Sequence, residues 1–68
     1  MIISLIGNYI DKSEYTRAEL SKRFKVHRNT ISNWCTGKSY PSVPQLFELA
    51  SLLNVKVDDL YIYKEDER

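Results

Sequence analysis

The segment at residues 25–38, KVHRNTISNWCTGK, carries polar side chains at a spacing that suits base recognition. Four of them fall at positions i, i+1, i+4 and i+5, which share one face of a helix: Arg28, Asn29, Ser32 and Asn33. An arginine can bond bidentately to guanine, and an asparagine to adenine, in the major groove of DNA. The pattern therefore favours a surface that reads base edges, and an ordinary solvated helix face is the alternative.

The chain lacks the residue sets that catalysis or metal binding requires. It has one cysteine and one histidine among 68 residues, which is too few for a structural zinc site. It has two glycines, so there is no glycine-rich phosphate loop, and no nucleophile stands beside a base. We therefore expect no enzymatic activity, no catalytic residue, no metal, no cofactor and no small-molecule ligand. Cys35 is expected to be a small buried hydrophobe rather than a redox sensor.

Length and composition indicate one small globular domain. The apolar share of 43% is typical of a folded protein, and 68 residues suffice for a single core. We expect this domain at residues 1–63 and a charged tail at residues 64–68. The longest apolar runs are far too short to span a bilayer, and the start of the chain lacks the pattern of a signal peptide. We therefore expect no membrane association and a cytoplasmic location.

The charge is unevenly distributed, although its net value is only +1. Residues 16–40 hold six basic residues against one acidic residue, whereas residues 41–68 hold six acidic residues against three basic ones. A basic middle and an acidic end favour a polyanion partner that docks on the middle of the chain. The alternative is a solvated surface on which the charges are scattered by chance.

The periodicity of apolar residues predicts an all-α fold of five short helices around one core, with no strand. The helices are expected at residues 2–10, 16–24, 27–35, 42–54 and 57–61. Capping boxes, formed by Thr16 with Glu19 and by Ser42 with Gln45, mark two of the helix starts. Gly37 marks the end of the third helix. The fourth helix carries the clearest apolar stripe: Val43, Leu46, Phe47, Ala50 and Leu53.

The second and third predicted helices are joined by only a few residues, as in a helix-turn-helix. In that motif the second helix enters the major groove of DNA and the first crosses the backbone. Five apolar residues can bury the contact between the two helices: Leu20, Phe24, Val26, Ile31 and Trp34. Trp34 shares a face with Ile31, so it is expected in the core rather than stacked on a base. Arg17 and Lys38 are placed for phosphate contacts.

With these elements in order, the chain resembles the Cro/C1-type (XRE) helix-turn-helix regulators of phages and bacteria over roughly residues 5–61. The matching positions are Thr16 to Glu19 with Leu20, then Val26, Ile31, Ser32, Trp34, Gly37, Lys38, Pro41, Ser42, Leu49, Ala50, Leu53, Val55, Asp59 and Leu60. The resemblance implies a compact five-helix, lambda-repressor-like DNA-binding domain and a transcription regulator of the repressor type in a bacterial or phage-infected cell. It also implies a double-stranded DNA operator as partner, and a homodimer at least on DNA.

By position, the resemblance assigns functional residues along the motif. It assigns base reading to Arg28, Asn29 and Asn33, with Arg17 at the contact site of the second helix, and Ser32 joins them because it shares the same face. It assigns phosphate contacts to Thr16, Thr36, Lys38, Ser39 and Tyr40, and we add Lys25, His27 and Thr30. Simple surface packing is the alternative for Tyr40.

The chain departs from the family pattern at several positions. Arg17 stands where the family commonly has glutamine. Lys25 stands where a turn glycine is frequent, which costs about 1 kcal/mol if Lys25 takes the left-handed conformation. Cys35 and Ile10 stand where the family often has an ion pair, which indicates that packing replaces the pair here.

Tyr61, Ile62 and Tyr63 form an apolar triplet next to the acidic tail. One interpretation is a dimer interface, and the other is that the triplet covers the edge of the core. A rival function from another class is a helical protein-interaction module, such as an antitoxin or antirepressor that acts through a protein partner. The triplet and the acidic tail favour the rival, whereas the basic middle opposes it.

Overall fold

The two ends of the chain meet in a small sheet, and four helices fill the chain between them. A computed structural model describes residues 1–65, so the last three residues of the predicted charged tail lie outside the described residues. The elements in chain order are β1 (Ile2–Ser4), α1 (Ile6–Lys12), α2 (Arg17–Phe24), α3 (Arg28–Thr36), α4 (Val43–Leu53), a 3₁₀ helix (Val57–Leu60) and β2 (Tyr61–Tyr63). Within residues 1–65 no helix is long and apolar enough to cross a membrane.

The sheet corrects the expectation of a purely helical, five-helix fold. β1 and β2 pair antiparallel, with Ile2 opposite Tyr63, Ile3 opposite Ile62 and Ser4 opposite Tyr61. The helix predicted over residues 2–10 is wrong in its first part, because residues 2–4 pair with the far end of the chain and α1 begins only at Ile6. The fifth helix is a single 3₁₀ turn that ends at Leu60, and Tyr61 already belongs to β2.

Local capping signals are confirmed. In both predicted capping boxes the hydroxyl of the cap residue accepts from the backbone N–H three residues later, and the Glu19 or Gln45 side chain accepts in return from the backbone N–H of Thr16 or Ser42. Gly37 closes α3 with φ of 84°, in the left-handed region that a residue without Cβ adopts freely. These groups satisfy backbone donors and acceptors that a helix end leaves without a partner.

The core gathers one side of each helix. Its buried hydrophobic residues are Ile6, Ile10, Leu20, Phe24, Ile31, Trp34, Leu49, Ala50 and Leu60. The apolar stripe expected on α4 is only partly used, because Val43 and Phe47 are 67% and 62% exposed. The apolar residues of α4 cover more than one face of the helix, and only the face that carries Leu49 and Ala50 meets the core.

Gly7 allows α1 to lie close to α3. A Cβ placed on Gly7 would stand 3.1 Å from the Cβ of Cys35, which is closer than side chains normally approach. Ile10, one turn along α1, is buried at 3% exposure. The close approach gives a packing reason for a glycine that, in an open helix, costs roughly 1 kcal/mol relative to alanine.

Ser4 ties β1 to two helices at once. Its hydroxyl donates to the carbonyl of Trp34 over 2.7 Å and accepts from the backbone N–H of Ile6 over 3.3 Å. One side chain therefore fixes the strand against α3 and also supplies a partner to the first turn of α1, where backbone donors lack helical acceptors.

Replacing Ser4 tests this link. Ser4→Ala leaves the Trp34 carbonyl and the Ile6 N–H without their partner, so we expect the free energy of unfolding to fall by about 1–2 kcal/mol in urea titrations. Ser51→Ala, at an exposed position of α4, is the matched control and should change it by about 0.5 kcal/mol or less. Equal small effects in both variants would contradict the assigned role.

Candidate nucleic-acid interface

The connection between α2 and α3 is a turn of three residues, 25–27, centred on one left-handed residue. Lys25 has φ of 59° and ψ of 43°, which is the left-handed conformation considered above for this position. Its backbone N–H bonds to the carbonyls of Lys22 and Ser21, and the N–H of Val26 bonds to the Ser21 carbonyl over 3.0 Å. These bonds fix the turn to the last turn of α2.

His27 caps the start of α3. Its Nδ1 accepts from the backbone N–H of Asn29 over 3.1 Å. α3 therefore begins at Arg28, one residue later than predicted, with His27 as its N-cap. The cap fixes the orientation of the first turn, which carries Arg28 and Asn29.

The inner face of α3 is closed by aromatic packing. Trp34 is 2% exposed and Ile31 is fully buried. The Trp34 ring meets the Phe24 ring of α2 edge to face, with 5.6 Å between the centroids and 83° between the planes. The prediction that Trp34 belongs to the core is confirmed. Ser21 is small at the helix contact and turns its hydroxyl back to the Ala18 carbonyl.

The outer face of α3 presents the predicted base-reading residues. Arg28, Asn29 and Ser32 are exposed, and Asn33 is half-buried at the margin of the face. None of these four side chains has a hydrogen bond or an ion pair to another of the residues 1–65. Their donors and acceptors are therefore available to an external partner.

Two of the three threonines predicted to contact phosphate, Thr16 and Thr36, differ in what their hydroxyls can still do. Thr16 Oγ1 accepts from the Glu19 N–H over 3.1 Å, which leaves its own hydroxyl proton free to be donated. Thr36 donates its hydroxyl proton to the Ser32 and Asn33 carbonyls, each at 3.3 Å. Thr16 is thus the better prepared phosphate donor.

The other predicted phosphate contacts flank α3 at both ends. Lys25, His27 and Lys38 are exposed, whereas Thr30 and Ser39 are half-buried. Tyr40 is exposed, but its ring packs against the Tyr61 ring with centroids 5.8 Å apart. Tyr40 therefore joins the end of α3 to the sheet side of the molecule, a contact that no local spacing in the sequence indicates.

Arg17 lies in a cradle that sequence reasoning missed. One of its terminal nitrogens stands 3.8 Å from Asp11 Oδ1. A Cβ placed on Gly7 would stand 3.5 Å from that nitrogen and 3.6 Å from Cys35 Sγ, so guanidinium and sulfur lie side by side over Gly7. The Cys35 side chain, with a smaller contribution from the Asp11 carboxylate, raises the pKa of Arg17, which therefore stays charged.

This cradle revises the expected packing at Cys35. Cys35 is half-buried beside Gly7 and Arg17, whereas Ile10 is buried in the core. Neither Gly7 nor Asp11 stood out in the sequence, because their link to Arg17 is made only when α1, α2 and α3 pack together. Within residues 1–65 no group of three or more histidine, cysteine, aspartate or glutamate side chains could hold a metal ion.

The basic residues of the middle segment are displayed at the surface. Five of them are exposed and have no ion pair within residues 1–65: Lys22, Arg23, Lys25, Arg28 and Lys38. Uncompensated positive charge on a helix-turn-helix is the electrostatic arrangement that attracts a phosphate backbone.

Comparisons with known proteins agree with this geometry. The helix-turn-helix family model matches residues 6–60. An uncharacterised HTH-type transcriptional regulator of Archaeoglobus fulgidus is 38% identical over 62 residues, which cover 91% of this chain and 87% of the relative. A second such regulator, from Methanocaldococcus jannaschii, is 38% identical over 52 residues, 76% of this chain and 79% of the relative. The crystal structure of a candidate DNA-binding protein from Bacteroides fragilis superposes with a TM-score of 0.80 at 34% identity, covering 91% of this chain and all of that one.

Lys25 is expected to lower the stability of the fold and to raise the affinity for DNA. Lys25→Gly removes the left-handed penalty and should raise the free energy of unfolding by up to about 1 kcal/mol. The same change removes a cation beside α3 and should weaken DNA binding, measured by fluorescence anisotropy. Asn54→Gly is the matched control, because Asn54 is also left-handed (φ 59°) but uncharged. It should leave DNA affinity unchanged, and an equal loss in both variants would contradict a phosphate role for Lys25.

Proposed function

The chain belongs to the Cro/C1-type helix-turn-helix family and is a DNA-binding transcriptional regulator, and from that premise we propose that it is a sequence-specific repressor. It reads double-stranded DNA by placing α3 in the major groove while α2 crosses the backbone. It acts by occupying an operator and blocking polymerase. This work on DNA takes place in the cytoplasm, without a cofactor.

One observation carries the proposal: the exposed face of α3 stands opposite the buried Trp34 and holds polar side chains that have no partner among residues 1–65. Arg28 suits a bidentate bond to guanine, and Asn29 or Asn33 suits adenine. Ser32 can bond to several base edges. Arg17, held over Gly7 with its charge intact, adds a contact at the start of α2.

Phosphate contacts set the register of α3 in the groove. They come from residues at both ends of the helix and from the start of α2: Thr16, Lys25, His27, Thr30, Thr36, Lys38, Ser39 and Tyr40. Such contacts orient the protein on the duplex but carry no sequence information by themselves. The exposed cations among them release counterions on binding, so affinity falls steeply with salt.

The repressor works as a homodimer on a palindromic operator. One α3 spans only a few base pairs, and two copies related by a two-fold axis read two half-sites one helical turn apart, or a multiple of it. The chain then forms a dimer at least on DNA, with the Tyr61–Tyr63 strand at the interface.

The experiment that tests this function is a selection of bound duplexes from a random DNA pool, repeated at low and at physiological salt. We expect a palindromic consensus that survives the higher salt, and its half-site spacing reports the dimer geometry. If the recovered duplexes share no consensus and binding is lost at the higher salt, only nonspecific charge attraction remains. That result would contradict the proposed specificity.

Two substitutions separate base reading from phosphate binding. Arg28→Ala should weaken the selected operator by roughly 1–3 kcal/mol and relax the preference at one base pair per half-site. Lys38→Ala should weaken all duplexes alike and lower the salt slope by about 1. Lys56→Ala, outside the basic middle segment, is the control cation and should leave the slope unchanged. If Arg28→Ala weakens the affinity for every duplex equally, Arg28 does not read a base.

A further inference from the structure

β2 turns unused main-chain groups away from β1. In an antiparallel pair, residues that exchange hydrogen bonds alternate with residues that do not. Backbone bonds join Met1 to Lys64 and the Leu5 N–H to the Leu60 carbonyl, so the bonded pairs are Met1–Lys64, Ile3–Ile62 and Leu5–Leu60. The N–H and C=O groups of Tyr61 and Tyr63 therefore point outward from the sheet.

This outer edge has no partner within residues 1–65. β1 packs against both β2 and α3, whereas β2 packs mainly against β1 and the 3₁₀ helix. No backbone hydrogen bond in the described part of the chain uses the N–H or the C=O of Tyr61 or Tyr63 outside the sheet. A free strand edge of this kind is a template for another strand.

The edge also lacks the features that normally keep strand edges apart. Natural edges are protected by charged residues, prolines, bulges or covering loops. β2 consists of tyrosine, isoleucine and tyrosine only, with Ile62 42% and Tyr63 69% exposed. Charged residues precede and follow the strand, with Asp58 and Asp59 before it and Lys64 after it, but none lies within it. Two exposed apolar side chains beside free main-chain groups favour pairing over solvation.

A groove of about 440 Å³ runs along the same side of the sheet. Its lining consists of Ile2, Tyr40, Pro41, Leu46, Asp58, Tyr61 and Tyr63. The Tyr61 hydroxyl oxygen is buried there without a hydrogen-bond partner in the described residues. Burial, and to a smaller extent the neighbouring Tyr40, raises the pKa of Tyr61, so the phenol stays neutral and keeps a proton to donate.

We infer that β2 pairs antiparallel with β2 of a second copy, around a two-fold axis at Ile62, to form one four-stranded sheet. The inference rests on the proposed function for its effect on DNA binding, because the four-stranded sheet would hold two α3 helices together in one dimer. The edge suits a second copy because the same surface of both subunits forms a two-fold interface. The outer edge of β2 is complementary to itself.

The hydrogen-bond pattern selects the register. With the axis at Ile62, Tyr61 of each copy faces Tyr63 of the other, and these pairs exchange all the outward bonds. Ile62 of one copy then lies directly opposite Ile62 of the other, in a close pair that exchanges no main-chain hydrogen bonds. Only apolar side chains meet across the axis. An axis at Tyr63 would instead place Lys64 opposite Ile62 and Glu65 opposite Tyr61.

The same register places a second tyrosine beside the groove. Directly opposed residues of antiparallel strands project on the same face of a sheet. Tyr63 of the second copy therefore stands beside Tyr61 on the groove side of the sheet. The pairing thus accounts for the open edge and adds a tyrosine beside the groove.

Cross-linking tests the register directly. In a Cys35→Ser background, Ile62→Cys places two thiols across the axis with Cα atoms about 4.5 Å apart, which a disulfide spans. Mild oxidation should give a covalent dimer as the main product on a non-reducing gel. Ile3→Cys, on the inner strand, is the matched control. Its copies lie about 14 Å apart across three strand spacings and should not cross-link.

A second variant tests the pairing without a disulfide. Ile62→Lys brings two like charges together at the axis, so the variant should sediment as a monomer while wild type sediments as a dimer, with helical circular dichroism unchanged in both. On DNA, the variant should bind a single half-site as wild type does. Its affinity for an operator with two half-sites should fall roughly a hundredfold, because binding to the second half-site is no longer intramolecular.

The outcomes separate the two proposals. A monomeric wild type both alone and on its operator, or an Ile62→Cys chain that does not cross-link, would overturn the strand pairing and leave sequence-specific binding standing. Cross-linking of Ile3→Cys as efficiently as Ile62→Cys would overturn it as well. A dimer that cross-links through Ile62 but selects no consensus would keep the pairing and overturn the proposed repressor function.

Discussion

Burial of Trp34 and Ile31 between α2 and α3 decides which way α3 faces. The Trp34 ring is wedged edge to face against Phe24, and almost none of it meets solvent. A helix whose apolar side is packed in this way cannot rotate about its axis, so its opposite side forms a fixed outward surface. The left-handed turn at Lys25 and the His27 cap then set where that surface begins.

The terminal sheet is coupled to the same helix. Ser4 bonds from β1 to the Trp34 carbonyl, and Tyr40, just after α3, packs against Tyr61 of β2. These contacts couple the sheet to α3 and to the loop that follows it. In the proposed dimer this coupling keeps the distance between two α3 helices constant, as recognition of two half-sites requires.

Local chemistry made much of the site predictable. Capping boxes, the glycine after α3 and the helical spacing of its apolar residues depend on neighbours within about four residues, and the structure confirms each of them. The exposed placement of Arg28, Asn29 and Ser32 follows from the same periodicity, because burying Ile31 and Trp34 leaves the opposite arc to solvent. Their contacts with bases stay a prediction.

The sequence by itself thus determined the helix-turn-helix, its caps and its polar outer face. Only the tertiary structure decided that residues 2–4 pair with Tyr61–Tyr63, that Val43 and Phe47 of α4 face solvent, and that Arg17 rests over Gly7 beside Cys35. Each depends on which faces meet after the chain has folded back on itself. A periodic pattern shows that a face is apolar or a segment extended, but the partner that satisfies it lies far along the chain and leaves no local signal.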